Sequence, residues 1–241
     1  GVIYVEPMLA VNLLKGFGIS YQDSFKTVAE AIDQANKDFG IEARILLVLL
    51  RHKGPEVCLR EVNEVLELNP RYLVGVGLAG DEVNFPGRLF KDSYRVVEKA
   101  GLGRTAHSGE WSGPDSMRET IDTLGVTRLG HGVLCFSDEK LMRELANNKI
   151  HCEVCPGSNI SLGVFKSFDQ HPLRIMYDAG ISLSLNSDDP PFFGTSMLKE
   201  YQNAVEHFNF NASDLLKVTR YGIEASFAEP ALKEKLLKKI A

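Results

Sequence analysis

The feature that most constrains this chain is a repeated alternation. Short apolar, β-branched runs are separated by longer stretches whose apolar residues recur at helical spacing, which is the pattern of parallel βα units. Strands are predicted over 2–6, 43–50, 73–79, 103–107, 127–131, 150–155 and 181–186. Of the helices between them, 24–40 sets Phe25, Val28, Ala29 and Ile32 on one face and turns Lys26, Glu30, Asp33 and Gln34 outward. Helices over 54–68 and 113–125 carry Pro55 and Pro114 just inside their starts, where a missing N–H costs least.

Seven strands in this alternation fit a doubly wound sheet or a (β/α)8 barrel short of one strand. The reactive residues favour the TIM-type barrel, because His107, His131 and the pair Asp188–Asp189 all fall at or just beyond strand ends, where barrels gather their chemistry. A dinucleotide fold would place G-x-G-x-x-G after an early strand, and none occurs in that context. The chain of 241 residues has no linker-like tract and no internal repeat, so one domain over 1–241 is expected.

Charge and cysteine content narrow the partners. A net charge of −5 sets nucleic acid and anionic membranes against an unfavourable mean field and favours a small neutral or cationic substrate. The basic LKEKLLKKI near the C-terminus has the spacing of an amphipathic closing helix. No apolar stretch reaches the eighteen or more residues of a membrane span, and no charged leader precedes an apolar segment. Cys58, Cys135, Cys152 and Cys155 are too scattered for a disulfide framework, so a reducing, cytoplasmic setting is expected. CEVC lies in a strand-like run where positions three apart face opposite sides, which argues against a paired redox or zinc role.

TAHSGE puts His107 at a strand end and returns Glu110 to the same volume through Gly109. That histidine can ligate a metal or hydrogen-bond within the barrel; the glutamate can donate a proton or be solvated. His131, in LGHGV, can orient or deprotonate a metal-bound water, or serve structurally. NSDDP places two carboxylates side by side, an arrangement suited to one cation and one ligand, or to a turn or helix cap. His52 is placed at the mouth between basic neighbours and His151 at the stability end of its strand; His171 and His207 are expected to have no site role.

TAHSGE, RLGHGV, EVCPGSN and SLNSDDP, in this order, with VGLAGDE at 76–82, resemble the adenosine deaminase family of the amidohydrolase superfamily. The resemblance runs essentially end to end. It implies zinc-dependent hydrolytic deamination at the six-position of a purine. His107 and Asp188 would bind zinc, Glu110 would protonate the purine ring, and His131 would position and activate water. Asp188 would also hold that water, Asp189 would hydrogen-bond the purine, and Gly80 would offer its backbone to the ring.

The family carries His-x-His on its first barrel strand, and no such pair occurs in this chain. The expectation is therefore a barrel lacking its first strand, N-terminally incomplete. Gly77 stands where adenosine-preferring relatives commonly place aspartate. The implied substrate is adenosine or deoxyadenosine. The alternatives are adenine or another 6-aminopurine, favoured by NSDDPPFFG, and a non-catalytic purine- or partner-binding barrel.

Overall fold

The computed structural model describes residues 1–241. Its strands are β1 (Tyr4–Val5), β2 (Met8–Leu9), β3 (Glu42–Ala43), β4 (Ile45–Leu50), β5 (Leu73–Ala79), β6 (Gly103–Ser108), β7 (Arg128–His131), β8 (His151–Val154) and β9 (Leu183–Leu185). Seven of them form one parallel sheet in the order β2-β4-β5-β6-β7-β8-β9, and β1 pairs with β3 in a separate ribbon. The sheet does not close on itself, since β2 and β9 each have one neighbour. This is the expected barrel short of a strand.

The helices are α1 (Val11–Gly16), α2 (Tyr21–Phe39), α3 (Pro55–Leu68), α4 (Lys91–Lys99), α5 (Pro114–Leu124), α6 (Glu139–Asn147), α7 (Pro156–Ser161), α8 (Leu173–Asp178), α9 (Pro190–Phe193), α10 (Met197–Phe208), α11 (Ala212–Ala225) and α12 (Pro230–Lys239). α2 starts three residues before the predicted 24, because the Ser20 side chain caps the Asp23 N–H at 3.0 Å. Phe25 and Ile32 are buried as expected in one core that runs between sheet and helices, Val28 packs against it half-buried, and Ala29 is buried on the same face. The closing helix α12 buries Leu232 and Leu236 in a smaller cluster with Ile223, against which Ile3 and Tyr4 pack. None of the helices is long and apolar enough to cross a membrane.

The predicted strand over 2–6 needs correction. Within it only Tyr4–Val5 is strand, as β1, and the member of the barrel sheet is β2, Met8–Leu9, beyond the predicted end. Between them Pro7 has no N–H to give a ladder, although its carbonyl still accepts from Leu46 N at 3.0 Å. Glu6 turns inward instead. Its carboxylate pairs with buried Arg128 at 2.6 Å and accepts the Phe227 N–H at 2.7 Å.

Arg128 also pairs with Glu153 at 2.6 Å, and its guanidinium lies 3.9 Å from the Phe227 ring centre. Gly75 and Gly103 make room for that ring, which a Cβ on Gly103 would overlap. These side chains form a polar and aromatic floor at the amino end of β7. The opposite rim is left for chemistry.

Candidate active site

The rim is assembled from the carboxyl ends of successive strands. Arg51 and His52 follow β4, Gly80 follows β5, His107 and Glu110 lie at and after the end of β6, and His131 ends β7. Cys155 follows β8, and Asp188 and Asp189 follow β9.

Register positions the first histidine. His107 lies beside Gly130 across the β6–β7 ladder, and the missing side chain leaves space for the imidazole. The two histidine rings meet edge to face, 5.0 Å between centres. Nδ1 of His107 is buried without a partner.

Glu110 is buried and its Oε1 has no hydrogen-bond partner, 3.6 Å from His131 Nε2. Burial, helped by the charges of Glu82 and Asp188, pushes its carboxyl up to about 8. A neutral acid at pH 7 can donate a proton. The loop that carries it is pinned by Glu82, whose carboxylate accepts the N–H groups of Gly109, Glu110 and Ser112 at 3.0, 3.3 and 3.2 Å. Arg51, also buried, donates to the carbonyls of Phe85 and His107, each at 2.6 Å.

His131 and Asp188 both adopt left-handed backbone conformations, with φ of 62° and 53°. Such angles in non-glycine residues aim a side chain where an ordinary strand end would not. His131 Nε2 lies 3.8 Å from Asp188 Oδ2, which accepts from Ser158 Oγ at 2.7 Å. Burial, with His107 and His171 nearby, holds the His131 imidazole neutral. Asp189 occupies the cap position of α9 without making a side-chain cap bond, and burial followed by the adjacent Asp188 raises its carboxyl. Gly80 turns with φ of 100° beside Arg51 and His52.

Six residues with no expected role stand in or behind the rim: Arg51, Glu82, Cys155, Ser158, Asn159 and His171. The strand at CEVC ends one residue before the expected 155, while Cys152 and Cys155 are unpaired as expected. The alternation argument ends with the strand at Val154, and the next residue's sulfur lies within 4.8 Å of donor atoms of His131 and Asp188. Cys152 stays in the strand, and all four cysteines are buried and free. His171, expected to be unconnected, is bonded to Asn159 and through it to His131. His151 holds the expected structural place, bonded to Ser182 and Ser184.

The donors present suit a divalent metal of the zinc kind: imidazole nitrogen, carboxylate oxygen and thiol sulfur close together on a rim. Those gathered within 4.8 Å of one another are His131, Cys155 and Asp188, with His107 on the neighbouring strand, and they differ in availability. Cys155 Sγ donates to the Glu153 carbonyl and His131 Nδ1 is engaged by Asn159, whereas His107 Nδ1 has no partner. An open parallel barrel with two histidines, a buried glutamic acid and paired aspartates on its carboxyl rim is an enzyme of the amidohydrolase type.

Comparisons with known proteins narrow the class. The family model described as adenosine deaminase matches residues 1–241. An adenine deaminase of Sinorhizobium medicae is 38% identical over 237 residues, covering 98% of this chain and 73% of the relative. An adenosine deaminase of Shewanella loihica is 38% identical over 202 residues, covering 84% and 61%. The crystal structure of an adenine deaminase from Arthrobacter aurescens superimposes with a TM-score of 0.95 at 29% identity, covering 100% of this chain and 73% of that one. The chain belongs to the adenosine deaminase family and is a purine aminohydrolase.

Proposed function

We propose that the chain catalyses zinc-dependent hydrolytic removal of the six-amino group of a purine, with free adenine as its substrate. The observation that carries this reading is the meeting of His107, Glu110, His131 and Asp188 on one rim, with Glu110 held as the neutral acid. His107 and Asp188 would hold zinc. When bound, zinc lowers the pKa of water and so supplies a nucleophile near neutral pH.

The remaining work falls to side chains. Glu110 gives its proton to the purine ring nitrogen beside the attacked carbon, which draws electrons from that carbon. The Glu82 clamp on three backbone N–H groups keeps the acid in reach. His131 orients the attacking water, with Asp188 accepting a hydrogen bond from it. Asp189 and the Gly80 backbone hold the base in plane. Of the two protons of the water, one passes to the departing amino group and the other restores Glu110, so ammonia leaves as the carbon keeps the oxygen as a carbonyl.

Adenine is preferred to adenosine because close relatives are named adenine deaminases and Gly77 lacks the aspartate common in adenosine-preferring sequences. The retained LAGDE and the Shewanella relative support the second reading, adenosine or deoxyadenosine. An ultraviolet assay of the purified protein with zinc supplied separates them. Turnover of adenine alone supports the proposal, and turnover of adenosine alone replaces it with the second reading. Turnover of neither, with no zinc retained, would return the non-catalytic barrel. His107→Ala should lose both zinc and turnover.

A further inference from the structure

Asn159 and His171 have no part in the roles above, yet both are buried directly behind His131, 0% and 5% exposed. They form a line of hydrogen bonds. The backbone N–H of Leu173 donates to His171 Nδ1 at 3.2 Å. His171 Nε2 lies 3.1 Å from Asn159 Oδ1, and Asn159 Nδ2 lies 3.1 Å from His131 Nδ1.

Ring and amide protons are fixed by partners, and one partner here has a single possible role. A backbone N–H can only donate, so His171 Nδ1 accepts and the neutral ring carries its proton on Nε2. The ring is neutral because it is buried between Phe165 and Phe208, with ring centres 5.0 and 5.6 Å away. Asn159 Oδ1 must take that proton's hydrogen bond, which turns the amide NH₂ toward His131. An NH₂ group can only donate. His131 Nδ1 therefore offers its lone pair, and the ring proton sits on Nε2, facing Glu110 Oε1 at 3.6 Å and Asp188 Oδ2 at 3.8 Å.

We propose that Asn159 and His171 are positioning residues that hold His131 as its Nε2–H tautomer and thereby keep it off the metal. A nitrogen that carries a proton has no lone pair for a cation. Of the donors gathered within 4.8 Å, His131 is thus withdrawn from ligation although its distance would permit it. Its N–H is left to direct a hydrogen bond into the site. The catalytic consequence rests on the deaminase reading, whereas the tautomer does not.

The test is nitrogen-15 NMR of the histidine-labelled full chain, with zinc supplied. Wild-type His131 should give a pyridine-type Nδ1 and a pyrrole-type Nε2. Asn159→Asp presents only acceptors, so His131 Nδ1 should become protonated and pyrrole-type, and kcat should fall by on the order of 10²–10⁴-fold, as a wrong histidine tautomer costs elsewhere, with KM little changed. His171→Phe should leave the amide free to turn and give a mixture at Nδ1. A protonated Nδ1 in the wild type, or an unchanged Nδ1 in folded Asn159→Asp, overturns the proposal. If Asn159→Asp does not fold, the wild-type spectrum alone decides. Absence of deaminase turnover with the tautomer intact would instead count against the deaminase reading.

Discussion

Replacing Gly130 by alanine tests whether the space beside His107 is required. The added Cβ would stand 2.8 Å from His107 Nδ1, 3.0 Å from Cγ and 3.2 Å from Cα. Non-bonded atoms pack best at about 3.5–4.0 Å, so the imidazole must retreat by roughly half an ångström to one ångström. Rotation about χ1 cannot clear a contact that includes Cα. Overpacking of this kind costs about 1–3 kcal/mol, offset by about 0.4–1 kcal/mol from the stiffer unfolded chain. A net loss of about 1–2 kcal/mol corresponds to a Tm lowered by roughly 2–8 °C at this chain length. The displaced ring should cost on the order of 10² in kcat. Melting by circular dichroism reads the first effect; steady-state turnover and zinc content read the second. Gly77→Ala is the control, because its Cβ would meet Thr105 and Met8 side chains at 3.4 and 3.5 Å, ordinary contact distances. Gly130→Ala with wild-type melting and wild-type turnover would refute the packing argument.

Other perturbations reach different links in the chain of reasoning. Glu110→Gln should keep zinc while lowering kcat by about 10²–10⁴-fold, and normal turnover would remove the acid role. Because the acid form is the active one and its carboxyl is pushed up to about 8, wild-type turnover should hold below pH 8 and decline as pH rises through it; a profile that rises there contradicts the assignment. Arg128→Met leaves the half-buried Glu6 and Glu153 without their ion-pair partner, a loss of about 3 kcal/mol, and adding Glu6→Gln with Glu153→Gln should restore much of the Tm. An unchanged Tm in the single variant would show that the floor is not held by that charge. Glu61, buried in α3 with neither carboxylate oxygen bonded, is pushed up by burial to about 7 from an ordinary 4.5. With the folded value raised, stability is full below the unfolded value and is lost as pH rises through 7. Glu61→Gln should therefore gain about 3 kcal/mol relative to wild type at pH 8 and little at pH 4, and a gain independent of pH would sink the account.

The strand ends were legible because barrel chemistry concentrates there. His107, His131 and Asp188 could be found one strand at a time, each at the end of an apolar run. Asn159 and His171 could not, since what they do is defined by partners 28 and 12 residues away in sequence rather than by local pattern. Arg51 and Glu82 act through backbone groups, which leave no mark on side-chain identity. Two misplaced strand boundaries had signals available. Pro7 beside VIYVE marks a break in that strand, and Pro156 after CEVC marks where alternation stops, which frees Cys155 to face the rim.

The left-handed backbones of His131 and Asp188 set this protein's working shape against its heat resistance. Each such conformation in a non-glycine residue costs on the order of 1–3 kcal/mol, and glycine would relax it. A selection for thermal survival alone would accordingly be drawn to codons 131 and 188 and would enrich sturdier proteins that no longer work. Any campaign to harden this barrel has to screen for turnover at every round.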